Sequence, residues 1–174
     1  MRQFYHLAHD SNRQNLESIV DYELGEFDDD EFTSGKEFLG RIPPEVKLWL
    51  SDGTPSDWLA NPLSWPIVSE KLLQIICNKQ DFAIQHLTLP VFRLSSEVLI
   101  ERFLLLNPLE RIDTVDKPGD LLIDFVFDEK SIPRDLHIFR PRKAEMCVCI
   151  SGELYEFLRG KGLKGLALIP AKTV

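Results

Sequence analysis

Hydrophobic and polar positions alternate in short runs through most of the chain, the period of half-buried β-strands. Residues 2–8 fit a first strand, and Val46-Lys47-Leu48-Trp49-Leu50 a second. Gln85 to Phe92 carries Leu87, Leu89 and Val91 in alternation, with Pro90 confining it to an edge or a strand end. Val98 to Leu106, ended by Asn107-Pro108, and Leu121 to Phe127, preceded by the turn Pro118-Gly119-Asp120, read as two more. His137 to Phe139 and Met146 to Ile150 fit a pair across Pro141-Arg142-Lys143, and Gly165 to Ile169 a final strand stopped by Pro170.

Helical spacing breaks this pattern in three places. Ser69 is a good N-cap before Leu72, Leu73, Ile75 and Ile76, with Glu70 at the positive end of the dipole and a stop near Asn78. Ser151 stands likewise before Leu154, Tyr155, Phe157 and Leu158, with Glu153 in the first turn and Gly160 or Gly162 as the exit. Asp10-Ser11-Asn12 is a turn or helix start followed by Leu16, Ile19 and Val20. The expected fold is α+β, a mostly antiparallel sheet with two or three packed helices in a single compact unit. No fixed-period repeat is visible.

Charge divides what the strand pattern leaves uniform. Residues 1–60 hold thirteen acidic residues against five basic, and residues 61–174 hold fifteen of each, so the whole net charge of −8 sits in the first third. It is densest at Glu26-Phe27-Asp28-Asp29-Asp30-Glu31, which with Thr33-Ser34-Gly35 reads as a mobile loop. This divides the chain into an acidic N-terminal part, 1–60, and an α+β domain, 61–174. Acidity of this kind repels phosphate, disfavouring nucleic acid and anionic membrane, and suits either a basic protein partner or a plain solvated loop. No apolar run approaches a membrane span, and Met1 to His6 lacks the apolar stretch of a secretory signal, so a cytoplasmic protein is expected.

Candidate chemistry is sparse. Cys147 and Cys149 would point the same way on a strand, but no further Cys or His lies near them in sequence, and with Cys77 they read as reduced, buried thiols. His6, His9, His86 and His137 show no paired metal spacing. Gly160-Lys161-Gly162 follows a helix rather than opening one, so it reads as an exit and not a phosphate loop. The acidic run lacks the alternation and glycine of a calcium loop. Asp113 and Asp116 could do acid–base work if they shared a cleft, and otherwise serve turns. Arg140, Arg142 and Lys143 read as a solvated turn. No metal, cofactor or catalytic residue is assigned.

From about residue 62 to 171 the chain resembles a family of bacterial immunity proteins of polymorphic toxin systems, long described as a domain of unknown function. The resemblance rests on marks in order: Pro66-Ile67-Val68-Ser69 into Glu70-Lys71-Leu72-Leu73, then Leu106-Asn107-Pro108, Ile112-Asp113 and Asp116. Ile138-Phe139-Arg140 follows, and last Leu163-Lys164-Gly165-Leu166 with Pro170. Thr114 stands where the family often has a cysteine or similar residue. The resemblance implies a cytoplasmic protein, not an enzyme, that binds and neutralises a cognate toxin by stoichiometric occlusion. It supplies no catalytic residues, and it implies framework roles for Ser69, Asn107, Pro108, Asp113 and Gly165. Residues 1–60 match poorly, as expected where partner specificity lives, and the expected partner-binding residues are Glu26, Asp28, Asp29, Asp30 and Glu31. The alternatives are a small cytosolic hydrolase or transferase with a carboxylate/His site, or a small-ligand sensor domain. A basic toxin is the expected partner, with no nucleic acid and no membrane; the oligomeric state is open.

Overall fold

The computed structural model describes residues 2–28, 30–80, 82–115 and 126–174, the side chain of Glu31 excepted. Its first half contains β1 (Phe4–His9), β2 (Ile19–Glu23), α1 (Asp30–Thr33), β3 (Lys47–Leu50), β4 (Ile67–Ser69), α2 (Glu70–Cys77), β5 (Ile84–Thr88) and β6 (Val91–Arg93). The short β7 (Leu99–Ile100) leads to β8 (Phe103–Pro108), β9 (Arg111–Ile112), β10 (Val126–Phe127), β11 (Ile138–Pro141), β12 (Val148–Ser151), α3 (Gly152–Arg159) and β13 (Leu166–Thr173). Strand outweighs helix in what is a single compact unit, α+β in broad class.

The two serine signals fold as read. Ser69 Oγ accepts the Leu72 N–H at 3.1 Å and Ser151 Oγ the Leu154 N–H at 3.2 Å, capping α2 and α3. Each helix buries one stripe: Leu72, Leu73 and Ile76 on α2, Leu154 and Leu158 on α3. The strands make three sheets rather than one: β10-β13-β1-β12-β11-β9, β2-β3-β6-β7 and β4-β8-β5. Most pairs are antiparallel, with parallel ones at β3–β6, β9–β11 and β10–β13.

The register of these pairs shows a duplication that the sequence does not. Ile67, Val68 and Ser69 lie opposite Leu105, Leu104 and Phe103, while Cys149, Ile150 and Ser151 lie opposite His6, Tyr5 and Phe4. On the other side of the central strands, Ile84, His86 and Thr88 face Pro108, Leu106 and Leu104, while Leu166, Leu168 and Pro170 face His9, Leu7 and Tyr5. Thus β4-β8-β5 with α2 repeats β12-β1-β13 with α3, position for position. The bridge Trp58↔Val68 matches the pair Ile138↔Ile150, and the parallel pair Leu48↔Val91 matches Phe127↔Thr173.

The two halves also exchange strands. The first strand of the first half, β1, lies in the sheet of the second between β12 and β13; β8, the first strand of the second half, lies between β4 and β5. Equivalent residues meet in one shared core, including Leu7 with Leu106, Val68 with Ile150, and Leu72 with Leu154. The charge boundary near residue 60 is therefore not a packing boundary.

Several expectations change. Leu16, Ile19 and Val20 do not start a helix: Ile19 is buried and paired in β2, and Val20 is half exposed. Strand pairing with β3 outweighs the local spacing. Pro170 does not stop the last strand, which runs to Thr173; among the described residues β10 covers only Lys172 and Thr173, and Pro170 lies opposite Tyr5 of β1. The strand expected from Leu121 is seen at Val126–Phe127, and 121–125, the turn at 118–120 and Asp116 lie outside the described residues.

Candidate protein-binding face

Aromatic residues anchor the described part of the acidic stretch. Phe32 on α1 is fully buried, with its ring centroid 4.9 Å from Trp65 and 5.0 Å from both Phe27 and Phe38. The contacts with Trp65 and Phe38 are edge-on, the arrangement the ring quadrupoles favour. These rings join the core formed by Leu48, Leu50, Leu59 and Val91, so the segment from Leu24 to Val46 is packed onto the β3–β6 sheet.

A second clamp comes from the other half of the molecule. Arg140 on β11, expected in a solvated turn, is fully buried. Both faces of β11 are covered, Ile138 in one core cluster and Phe139 in another, so the side chain has no route to solvent. Its guanidinium donates to Phe32 O (3.3 Å), Pro108 O (3.2 Å), Asn107 Oδ1 (3.2 Å) and Glu145 O. None of these acceptors is a carboxylate. Burial drives its pKa down to about 10, against weaker opposing effects of Cys147 and Glu145. Gly35, at φ +63°, lies against this side chain; a Cβ there would stand 2.7 Å from Arg140 Cδ. Asn107 Nδ2 donates to Lys36 O at 2.8 Å, and Gln85 exchanges two hydrogen bonds with the backbone of Phe38. Asn107 is thus a buried tie inside β8, not a turn residue.

With 32–38 held from beneath, the carboxylates face outward. Glu26, Asp28 and Asp30 are exposed, and Asp28 Oδ1 accepts the Asp30 N–H at 3.0 Å. Asp29 and the side chain of Glu31 lie outside the described residues. Asp28, Asp30, Ser34, Lys36, Glu37 and Phe38 line a shallow recess of about 300 Å³. Glu26, Asp28 and Asp30, exposed beside the packed Phe27 and Phe32, can attract a cationic surface.

The remaining candidates stay apart. His86 is exposed on β5; His6 and His9 lie on β1. His137 is buried, with Nδ1 2.8 Å from Ser151 Oγ, and burial holds its imidazole below the usual histidine range. That pair has a counterpart in the other half, where Ser69 Oγ donates to Asp57 Oδ1 at 2.7 Å. In each half the serine N–H also donates at 2.9 Å to the backbone carbonyl of this partner, Asp57 or His137. The hydrogen bond is thus part of the helix cap. Asp113 is exposed and pairs with Arg142 at 2.8 Å. Cys149 is buried among Phe4, Phe127 and Phe139, and burial raises its thiol pKa and that of Cys147. No group of three or more His, Cys, Asp or Glu among the described residues is placed to hold a metal ion, and no helix among them is long and apolar enough to cross a membrane.

Sequence reasoning missed two features here. The phenylalanines inside the acidic run were the available signal for anchoring, since an aromatic ring in a polar stretch seeks burial. Glu17, nearly inaccessible and held by Arg93 (2.8 Å) and Arg102, gave no signal at all. A comparison with protein-family models finds no match, and neither does one with curated proteins.

Proposed function

We propose that this chain is an immunity protein that binds a cognate, basic bacterial toxin in the cytoplasm and neutralises it by occlusion, without catalysis. The observation that supports the reading most is the acidic segment fixed at its base by Phe32 and Arg140, with Glu26, Asp28 and Asp30 turned outward. A solvated loop has no use for two independent anchors. A binding face has, since preformed complementary charge speeds encounter and rejects wrong partners. The family resemblance of residues 62–171 supports the same reading. Asp29 and Glu31 belong to the same acidic run of the sequence.

The test is co-expression with the product of a toxin-like reading frame beside the gene. A stable complex and cell protection are expected. Changing Asp28, Asp29 and Asp30 together to Asn should slow association roughly tenfold at low salt and much less at high salt, where the Debye length is short. Absence of any complex, or an association rate indifferent to both salt and the triple change, would overturn the proposal.

A further inference from the structure

The open edge of β2 is a second feature that suits a partner. β2 ends the sheet β2-β3-β6-β7; Ile19 N–H, at its start, donates to Ala60 O at 2.8 Å on the side away from β3, and past Ile19 the described residues pair with β2 on the β3 side only. Past Ile19 both of its faces are exposed: Val20, Asp21, Tyr22 and Glu23 all stand in solvent. Tyr22 lies opposite Leu48, whose N–H donates away from β2, to Pro90 O on the β6 side. In an antiparallel ladder that makes Tyr22 and Leu48 a pair without mutual hydrogen bonds, so the N–H and C=O of Tyr22 point out from the open edge. The N–H is occupied locally, by Asp21 Oδ1 at 2.9 Å.

Proteins blunt such edges, often with charge. Here the blunting charges are acidic. Asp21 and Glu23 lie on the strand, and Glu26, Asp28 and Asp30 follow along the chain. Glu45 comes close as well, since a Cβ at Gly25 would run into its side chain. Lys47, paired with Glu23 at 3.7 Å, and Lys36, in the recess with Asp28 and Asp30, are cations beside them. Two copies of this chain joined through β2 would bring like charges together. A strand carrying lysine or arginine would instead take the Asp21 carboxylate and free the Tyr22 N–H for a ladder bond.

We propose that β2 accepts an extended basic segment of the partner as an added strand, with Val20 and Tyr22 as its apolar contacts and Asp21 and Glu23 as its charge contacts. The proposal rests on the reading of this chain as a capture protein for a basic partner and names the mode of capture. Main-chain bonds would supply affinity and the alternate side chains specificity.

The probe is a capped peptide of alternating lysine and valine, compared at low salt with one of equal charge in which proline replaces valine. Amide spectra of the full chain should shift at residues 19–24 with the first peptide, and the Tyr22 amide should exchange several-fold more slowly. The proline peptide should do neither, because proline removes every second N–H and fixes φ at about −65°, away from the extended strand geometry. Asp21→Lys with Glu23→Lys should weaken binding about tenfold or more, and the milder Asp21→Asn with Glu23→Gln should weaken it in the same direction should the reversal disturb folding. Asp28→Asn with Asp30→Asn should change it about twofold or less. Equal binding of the two peptides, or shifts confined to 26–31, would overturn strand addition. No toxin enters this experiment, so its failure leaves toxin capture by the acidic segment standing, and absence of a toxin complex leaves the peptide result standing.

Discussion

Replacing Arg140 by methionine tests the clamp that fixes the acidic segment. The change removes four donated hydrogen bonds, to Phe32 O, Pro108 O, Asn107 Oδ1 and Glu145 O, while roughly preserving the buried aliphatic volume. Each stranded acceptor costs about 1–1.5 kcal/mol, or roughly 4–6 in all. Against this stands relief from a buried charge: the fall of the guanidinium pKa to about 10 corresponds to about 3 kcal/mol. The net loss is then about 1–3 kcal/mol, or roughly 2–12 °C in melting temperature for a chain of this length. The loss should be local as well as global, because Phe32 O loses its donor and Gly35 the surface it packs on. Urea unfolding gives the first quantity, and hydrogen exchange resolved to segments gives the second. Amides of 32–38 should exchange at least tenfold faster, with those of α3 changing only as far as global stability does. A variant as stable as the parent, with unchanged exchange at 32–38, would show that Arg140 does not hold the segment and that the aromatic cluster suffices.

Three further outcomes follow from other parts of the molecule. Gly165→Ala should destabilise by about 2–3 kcal/mol in urea unfolding, since φ is +75° and the new Cβ would collide with Ser56 Oγ and lie 2.9 Å from Trp58 O. His6 and His137 are both held below the ordinary histidine value of 6.5 by burial, His137 also feeling Glu153 and Asp135 against Lys79 and Arg2. The unfolded chain therefore binds more protons just below pH 6.5, so stability should be full above about that pH and decline as pH falls through it, a slope that unfolding measurements from pH 8 to 5 would show reduced in His137→Gln. A protease cut in the exposed link around Ser95 and Ser96 should leave the two fragments associated in native gel filtration and separable only in denaturant, because each supplies a central strand to the other; fragments that part without denaturant would contradict the exchange.

What the sequence made legible was local. The serine caps at Ser69 and Ser151 and the apolar stripes behind them depend on residues a turn apart, and those were read to within a residue. The pairing of Ile138 and Phe139 with Ile150 and Cys149 was legible for the same reason, a short connection. What escaped depends on distant partners. Val20 to Glu23 form a strand because Leu48 and Trp49 lie beside them, and Arg140 is buried because Phe32, from the other half, covers it. The division into three sheets follows from strand exchange, which no window of sequence contains. Of the candidate site, the carboxylates were visible and their footing was not.

The duplication explains why the charge is so uneven. Two equivalent halves require equivalent interiors, and these they have: Leu7 with Leu106, Leu72 with Leu154, Ile76 with Leu158 in one cluster. Nothing in that packing constrains the hairpin loops, which can diverge without disturbing the shared core. In the first half β2 runs into β3 through 24–46, and the acidic run, the three phenylalanines and α1 all fall within that stretch. This addition does not rest on its own half alone. Phe32 packs on Trp65 of the first half, while its carbonyl and Gly35 lie on Arg140 of the second. The acidic face is therefore fixed to the exchanged scaffold as a whole, and a change in either half that loosens the core should be felt there. A duplicated framework carrying one anchored, acidic elaboration separates the residues that hold the fold from the exposed carboxylates, and it leaves Glu26, Asp28 and Asp30 free to vary at little cost to the fold.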